Sequence, residues 1–97
     1  MSRLVVVAPL RPGGREAAER LLGEGPPFDP GATPLERHEV FVTDREVVFL
    51  FEGPGAKEAV QALAGEPELW RAAARWRECL AGRPRIARGA YTWAREP

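Results

Sequence analysis

The sequence predicts an α+β fold, a four-stranded antiparallel sheet with helices packed against it. Three observations carry this expectation. Leu4-Val5-Val6-Val7-Ala8 is a continuous β-branched run, too short for a helix and suited to a strand buried on both faces. His38–Thr43 and Glu46–Phe51 are two β-rich stretches separated by Asp44-Arg45, the pattern of a hairpin. Segments with apolar residues at helical spacing separate these strand signals, so the order reads β-α-β-β-α-β. The 97 residues suffice for one domain, 1–97, and 44% hydrophobic with 29% charged residues is globular composition.

Each element is justified in turn. After the first strand, Arg11-Pro12-Gly13-Gly14 breaks the run. Arg15–Leu22 then places Ala17, Ala18, Leu21 and Leu22 on one stripe of a short helix, with Gly23 expected as its left-handed cap. Residues 23–34 contain four prolines and one large apolar side chain, Phe28, which predicts a long loop. If Asp44-Arg45 form the hairpin turn, Val42 faces Val47, Val40 faces Phe49 and His38 faces Phe51. The opposite surface carries Phe41, Val48 and Leu50 with Glu39 and Glu52, so both faces of this sheet are apolar at the centre. Gly53-Pro54-Gly55 ends the strand, and Ala56–Ala64 reads as a helix. Pro67 suits the first turn of a further helix in which Leu69, Ala72, Ala73, Trp76, Cys79 and Leu80 share a side, stopped by Gly82 and Pro84. Ile86–Ala94 alternates loosely, as an edge strand with Ala87, Gly89, Tyr91 and Trp93 on one face.

Handedness rules let each βαβ half leave a gap that the other half fills, which gives a ferredoxin-like βαββαβ sandwich with sheet order 4-1-3-2. Its helix-free face needs a cover from outside the chain, and a second copy packed sheet against sheet is the simplest. At this point the chain resembles the dimeric α/β-barrel superfamily, which includes antibiotic-biosynthesis-type monooxygenases, muconolactone-isomerase-like proteins and stress-responsive barrel proteins. The resemblance spans residues 3–95. It is carried by Val5-Val6-Val7-Ala8-Pro9-Leu10-Arg11-Pro12-Gly13 and by the helix start Pro67-Glu68-Leu69-Trp70. It implies a homodimer with a ligand held between sheet and helices. Monooxygenases of this kind typically use an asparagine with a tryptophan and an arginine or histidine. This sequence has no asparagine, and its one serine, Ser2, stands at the amino end where order is weakest, so no catalytic residue is carried over.

Composition narrows the chemistry. Acidic and basic residues balance at 14 each, which argues against nucleic acid or an anionic membrane as partner. The balance is uneven along the chain: seven arginines against Glu78 and Glu96 give residues 71–97 a net +5, offset by −5 in the first 70. Arg71 and Arg75, at helical spacing opposite the core, read as a solvated face able to pair with amino-terminal carboxylates. One cysteine, Cys79, permits neither an internal disulfide nor a cysteine-based zinc cluster, and is expected as a buried, inert thiol. With one histidine, His38, a multi-histidine metal site would need residues from another subunit, so no metal site is expected. No cofactor is expected either, since Gly53-Pro54-Gly55 lacks the features of a phosphate loop or dinucleotide fingerprint. The longest apolar run, Leu4–Leu10, is far short of a membrane span, and a cytoplasmic location is expected.

The candidate site residues are few. His38, beside Arg37 and Glu39 at a strand end, can serve as acid, base or ligand, or can be a hydrogen-bonded surface histidine. Trp76 lies on the apolar stripe and is expected in the core. Trp70, about 240° around the helix from it, suits a pocket rim or an interface. Trp93 suits an interface, and Tyr91 either a pocket or an interface. Phe28, His38, Trp70 and Tyr91 are thus the expected ligand contacts, with His38 or Tyr91 as the proton-transfer group if the protein is an enzyme. The leading expectation is a homodimer that binds a small apolar or aromatic metabolite, with loop 23–34 closing over it. The alternatives are a cofactor-independent isomerase or monooxygenase, and a non-catalytic structural or interaction domain whose interior is filled by side chains.

Overall fold

The computed structural model describes residues 2–26 and 28–95, the side chains of Glu68 and Ala72 excepted. The expected place of Ala72 on the apolar stripe therefore lies outside the described side chains. The elements run β1 (Ser2–Pro9), α1 (Gly14–Gly23), a 3-10 turn (Pro30–Ala32), β2 (Arg37–Val42), β3 (Glu46–Gly53), α2 (Ala56–Ala64), α3 (Pro67–Ala73), a 3-10 segment (Ala74–Glu78) and β4 (Arg85–Ala87). All pairings are antiparallel in the order β2-β3-β1-β4, the ferredoxin-like 4-1-3-2 arrangement read from its other edge.

The hairpin forms with the register read from its alternation: Val42↔Val47, Val40↔Phe49 and His38↔Phe51. Thr43 closes the turn, its N–H donating to the Glu46 carbonyl at 2.8 Å while its Oγ1 accepts from the N–H groups of Arg45 and Glu46. Period-two alternation then sorts the sheet. Leu4, Val6 and Ala8 of β1 share a face with Phe51, Phe49 and Val47 of β3. On that face Ala8, Leu10, Ala18, Val47 and Cys79 form the buried cluster, with Ala17, Leu21, Phe49, Trp76 and Leu80 packed around it. The opposite face presents Val5, Val7, Val48, Leu50 and a 51% exposed Phe41. Its charges pair among themselves, Arg3 with Glu52 at 2.9 Å and Arg37 with Glu39 at 3.0 Å.

Four local expectations are corrected. Gly23 is not a left-handed cap: it ends α1 in helical conformation, Glu24 caps it, and the positive φ falls on Gly25 at +90°. The helix simply continues one residue further and delays the reversal. The last helix is not continuous, because after Ala73 it tightens into 3-10 geometry. That tightening seats the segment on the β1–α1 junction, where the Cys79 carbonyl accepts from Arg11 N–H at 2.8 Å and Leu80 bridges Leu10. A Cβ on Gly14 would stand 2.7 Å from the same carbonyl, so the approach requires glycine there. The edge strand stops at Ala87. In its register Val5 faces Ala87, so residue 90 would reach Ser2 and nothing of β1 remains to pair with Tyr91 or Trp93. Finally, Ser2 is ordered into β1: its hydroxyl donates to the Gly53 carbonyl and accepts from Ala56 N–H, both at 2.8 Å, capping α2 from across the sheet.

Cys79 is buried, as expected, with its thiol donating to the Trp76 carbonyl at 3.3 Å. Burial pushes the thiol above its ordinary value of 9.0. Ionisation is thus harder in the folded chain than in the unfolded one. Stability is full below the ordinary thiol value and falls as pH rises through the raised one. Alkaline urea titrations should show that component in the parent and lose it in Cys79→Ala, and iodoacetamide at pH 8 should label the parent only on unfolding.

Candidate functional site

A cavity of about 1060 Å³, open to solvent, lies between the sheet and the helices. Its size follows from the chain. The buried core is small and sits at the α1 side of the sheet, around Ala8, Ala18, Val47 and Cys79. Beyond this cluster the bulkier residues leave a space between sheet and helices, with Phe49 and Trp76 at its border. Val6, Val40, Phe49 and Phe51 line the sheet side, and Val60, Leu63, Leu69, Trp70 and Trp76 line the helix side. Among the described residues the walls are apolar except for four ionisable ones, His38, Arg11, Arg77 and Arg83.

His38 stands on the helix-bearing face of β2, opposite Phe51. Its ring stacks on Phe51 with centroids 4.6 Å apart and planes at 21°, and Phe28 of the long loop meets it at 5.4 Å. Nδ1 lies 3.0 Å from the Leu50 carbonyl. A carbonyl only accepts, so Nδ1 carries the hydrogen and Nε2 of the neutral ring keeps its lone pair. His38 is therefore a hydrogen-bonded strand histidine and a wall residue of the cavity at once. The loop is braced beyond Phe28, where the Asp29 carboxylate accepts from Gly31 N–H at 2.9 Å at the start of the 3-10 turn.

Across the cavity, Trp70 follows Pro67 in α3 and is 58% exposed, with its indole N–H donating to the Ala64 carbonyl. Trp76 meets Phe49 edge to face at 5.6 Å and so both completes the core and lines the cavity. Phe28, His38 and Trp70 thus come together at one cavity. Tyr91 does not join them: it is 84% exposed, beyond the end of the sheet. Trp93 is 66% exposed, with the Arg95 guanidinium 5.3 Å from its ring. Sequence reasoning missed Arg11, Arg77 and Arg83 as wall residues. The signal available was the excess of positive charge after residue 70, which spacing alone does not divide between solvent and cavity. Arg75 does take the solvated role, with both terminal nitrogens donating to Glu24. Among the described residues no cluster of three metal-ligating side chains occurs, and no helix is long and apolar enough to cross a membrane.

The chain is similar in structure to tetracenomycin F2 cyclase from Streptomyces glaucescens, a type-II polyketide cyclase, with a TM-score of 0.75 and 16% identity over 99% of this chain and 100% of that one. It is also similar to an antibiotic biosynthesis monooxygenase, with a TM-score of 0.68 and 13% identity over 95% and 100% of the two chains. A cofactor-independent oxygenase from Streptomyces nogalater aligns with a TM-score of 0.57 and 15% identity over 95% and 97%. The resemblance read from the sequence therefore holds at the level of fold. No family model and no curated protein matches the chain.

Proposed function

We propose that the protein binds a small, largely apolar or aromatic metabolite in the cavity between its sheet and helices. The observation that carries this reading is the cavity itself, about 1060 Å³ with apolar and aromatic walls, where a purely structural domain would have side chains. Phe28 acts as the movable wall from loop 23–34, and Trp70 and Trp76 form the roof. The reading includes a homodimer, because Val5, Val7, Phe41, Val48 and Leu50 leave an apolar patch on the helix-free face that a second copy of the same face would bury. It also places the protein in the cytoplasm, where a lone free thiol such as Cys79 is ordinary.

A second reading, a cofactor-independent isomerase or monooxygenase, is favoured by the hydrogen bond between His38 Nδ1 and the Leu50 carbonyl. That bond fixes the ring and presents Nε2 as a proton acceptor, the arrangement a general base requires. The named activities of the similar structures, a polyketide cyclase and a cofactor-independent oxygenase, are consistent with such chemistry.

Native mass spectrometry of the purified protein, followed by a tryptophan-emission screen of small aromatic acids, tests both readings. Trp70 and Trp76 line the cavity, so an occupant alters their emission. Phe28→Ala is expected to weaken binding about tenfold while costing far less stability than the roughly 3–5 kcal/mol of a buried Phe→Ala change. His38→Gln should retain binding and lose turnover if the histidine transfers protons. A flat emission response, together with a Phe28→Ala variant that melts far below the parent, would leave the structural alternative in place.

A further inference from the structure

We infer that the occupant of the cavity is an anion, an elongated aromatic acid whose carboxylate is held by Arg77 and Arg83. The inference rests on the reading of the cavity as a ligand site and adds the charge and polarity of the ligand. In a chain with 14 acidic and 14 basic residues, a wall assembled without regard to charge would carry both signs. Among the described residues, this wall holds three arginines and one histidine, and neither an aspartate nor a glutamate.

Four arginines outside the wall, Arg3, Arg15, Arg37 and Arg75, meet a carboxylate. Arg11, Arg77 and Arg83, like several surface arginines, share no ion pair among the described residues, but these three alone stand on the cavity wall. Arg11 is held by the fold, its Nε donating to the Leu80 carbonyl at 2.9 Å. Arg77 and Arg83 form no side-chain hydrogen bond among the described residues, so their guanidinium donors remain available. A planar guanidinium matches a carboxylate with two parallel hydrogen bonds, and beside an apolar wall that pairing is screened less than in open water.

Position gives the polarity. His38 faces Phe51, which faces Leu4 of β1. Arg83 follows the turn that hangs on the far end of that strand, where Ala81 N–H donates to the Pro9 carbonyl at 2.8 Å and Leu80 bridges Leu10. At about 3.3 Å per residue, the Leu4 and Leu10 levels are roughly 20 Å apart. The cavity therefore has an aromatic end at Phe28, His38 and Phe51 and a cationic end at Arg83, with Arg77 on the same wall next to Trp76, which meets Phe49 at the Val6 level between the two ends. A ligand with rings at one end and an acid at the other matches both. A neutral ligand leaves the arginines without a counter-charge, and a cationic one is repelled.

The test compares anthracene-2-carboxylate with its methyl ester by tryptophan-emission titration at pH 7 and low salt, two probes that differ in one charge. The parent is expected to bind the acid about tenfold more tightly than the ester, the difference shrinking as KCl is raised. In the Arg77→Gln/Arg83→Gln double variant, ester binding should be unchanged and the preference for the acid gone. Both positions are exposed and free of ion pairs among the described residues, so the variant should melt with the parent. Equal or tighter binding of the ester by the parent overturns the inference while leaving the ligand-binding reading intact. A preference that survives in the double variant overturns the assignment to these two arginines. Failure of both probes to bind counts against the cavity as a ligand site and against this inference together.

Discussion

Gly53→Ala is expected to melt roughly 10–25 °C below the parent, a loss of about 2–4 kcal/mol. Gly53 ends β3 with φ at +154°, a conformation that L side chains rarely adopt. A Cβ there would stand 2.9 Å from Glu36 N, 3.0 Å from the Pro34 carbonyl oxygen and 3.2 Å from Leu35 Cα. All three are backbone atoms, so no side chain can swing aside. The obstructing strand entry is itself fixed, since Glu36 N–H donates to the Glu52 carbonyl at 2.8 Å. The Gly53 carbonyl also accepts from Ser2, which in turn caps α2. One methyl group therefore strains the chain and loosens the joint between β1, β3 and α2. Differential scanning calorimetry checks this, and a melting temperature within about 2 °C of the parent would remove the steric argument.

The second large effect concerns assembly. Leu50→Lys places a charge at the centre of the helix-free face, beside Val5 across one strand pair and Glu39 across the other. Glu39 is already paired with Arg37, so if two such faces pack together the added charge is buried without a carboxylate of its own, at a cost of several kcal/mol. The dimer dissociation constant should then rise about 100-fold or more. The same substitution barely affects an isolated chain, in which Leu50 is only half-buried, so the variant should keep its far-ultraviolet circular dichroism as a monomer. Sedimentation velocity at micromolar concentration reads both species. A parent that sediments as a monomer would remove the proposal that a second copy covers this face.

Much of the fold is legible because its signals are local. The hairpin register follows from alternation either side of a two-residue turn, and α2 is bounded as Ala56–Ala64 by glycines on both sides. The features that escape sequence reasoning are set by distant contacts. Nothing near Ile86 marks that β4 ends at Ala87, opposite Val5, although β1 runs on to Ser2; the register with β1, more than eighty residues away, puts Tyr91 and Trp93 beyond its last pairing level. The helix after Pro67 reads as continuous from its apolar spacing. Its tightening comes from docking onto Arg11 and Gly14, which the spacing does not contain. The cavity shows the same division. Phe28, His38 and Trp70 stand out as residue types with chemistry and do line it, whereas Arg77 and Arg83 resemble the other arginines until the topology brings them to its wall. Tyr91 fails to reach the cavity for the reason that β4 is short.

The place of β1 in the sheet has a consequence for biosynthesis. This valine-rich strand leaves the ribosome before the other strands of its sheet, yet both of its neighbours, β3 and β4, are encoded far downstream. At about 5–20 residues per second, it waits several seconds for β3 and longer for β4. During that interval its backbone donors and acceptors and its apolar side chains have no native partner, which makes the nascent chain a natural client for a ribosome-associated chaperone. The β2–β3 hairpin, which needs only its own residues, can form before β1 docks and offers it a ready edge. Substitutions that weaken the Thr43–Glu46 turn should therefore lower the yield of soluble protein more than they lower the stability of molecules that do fold.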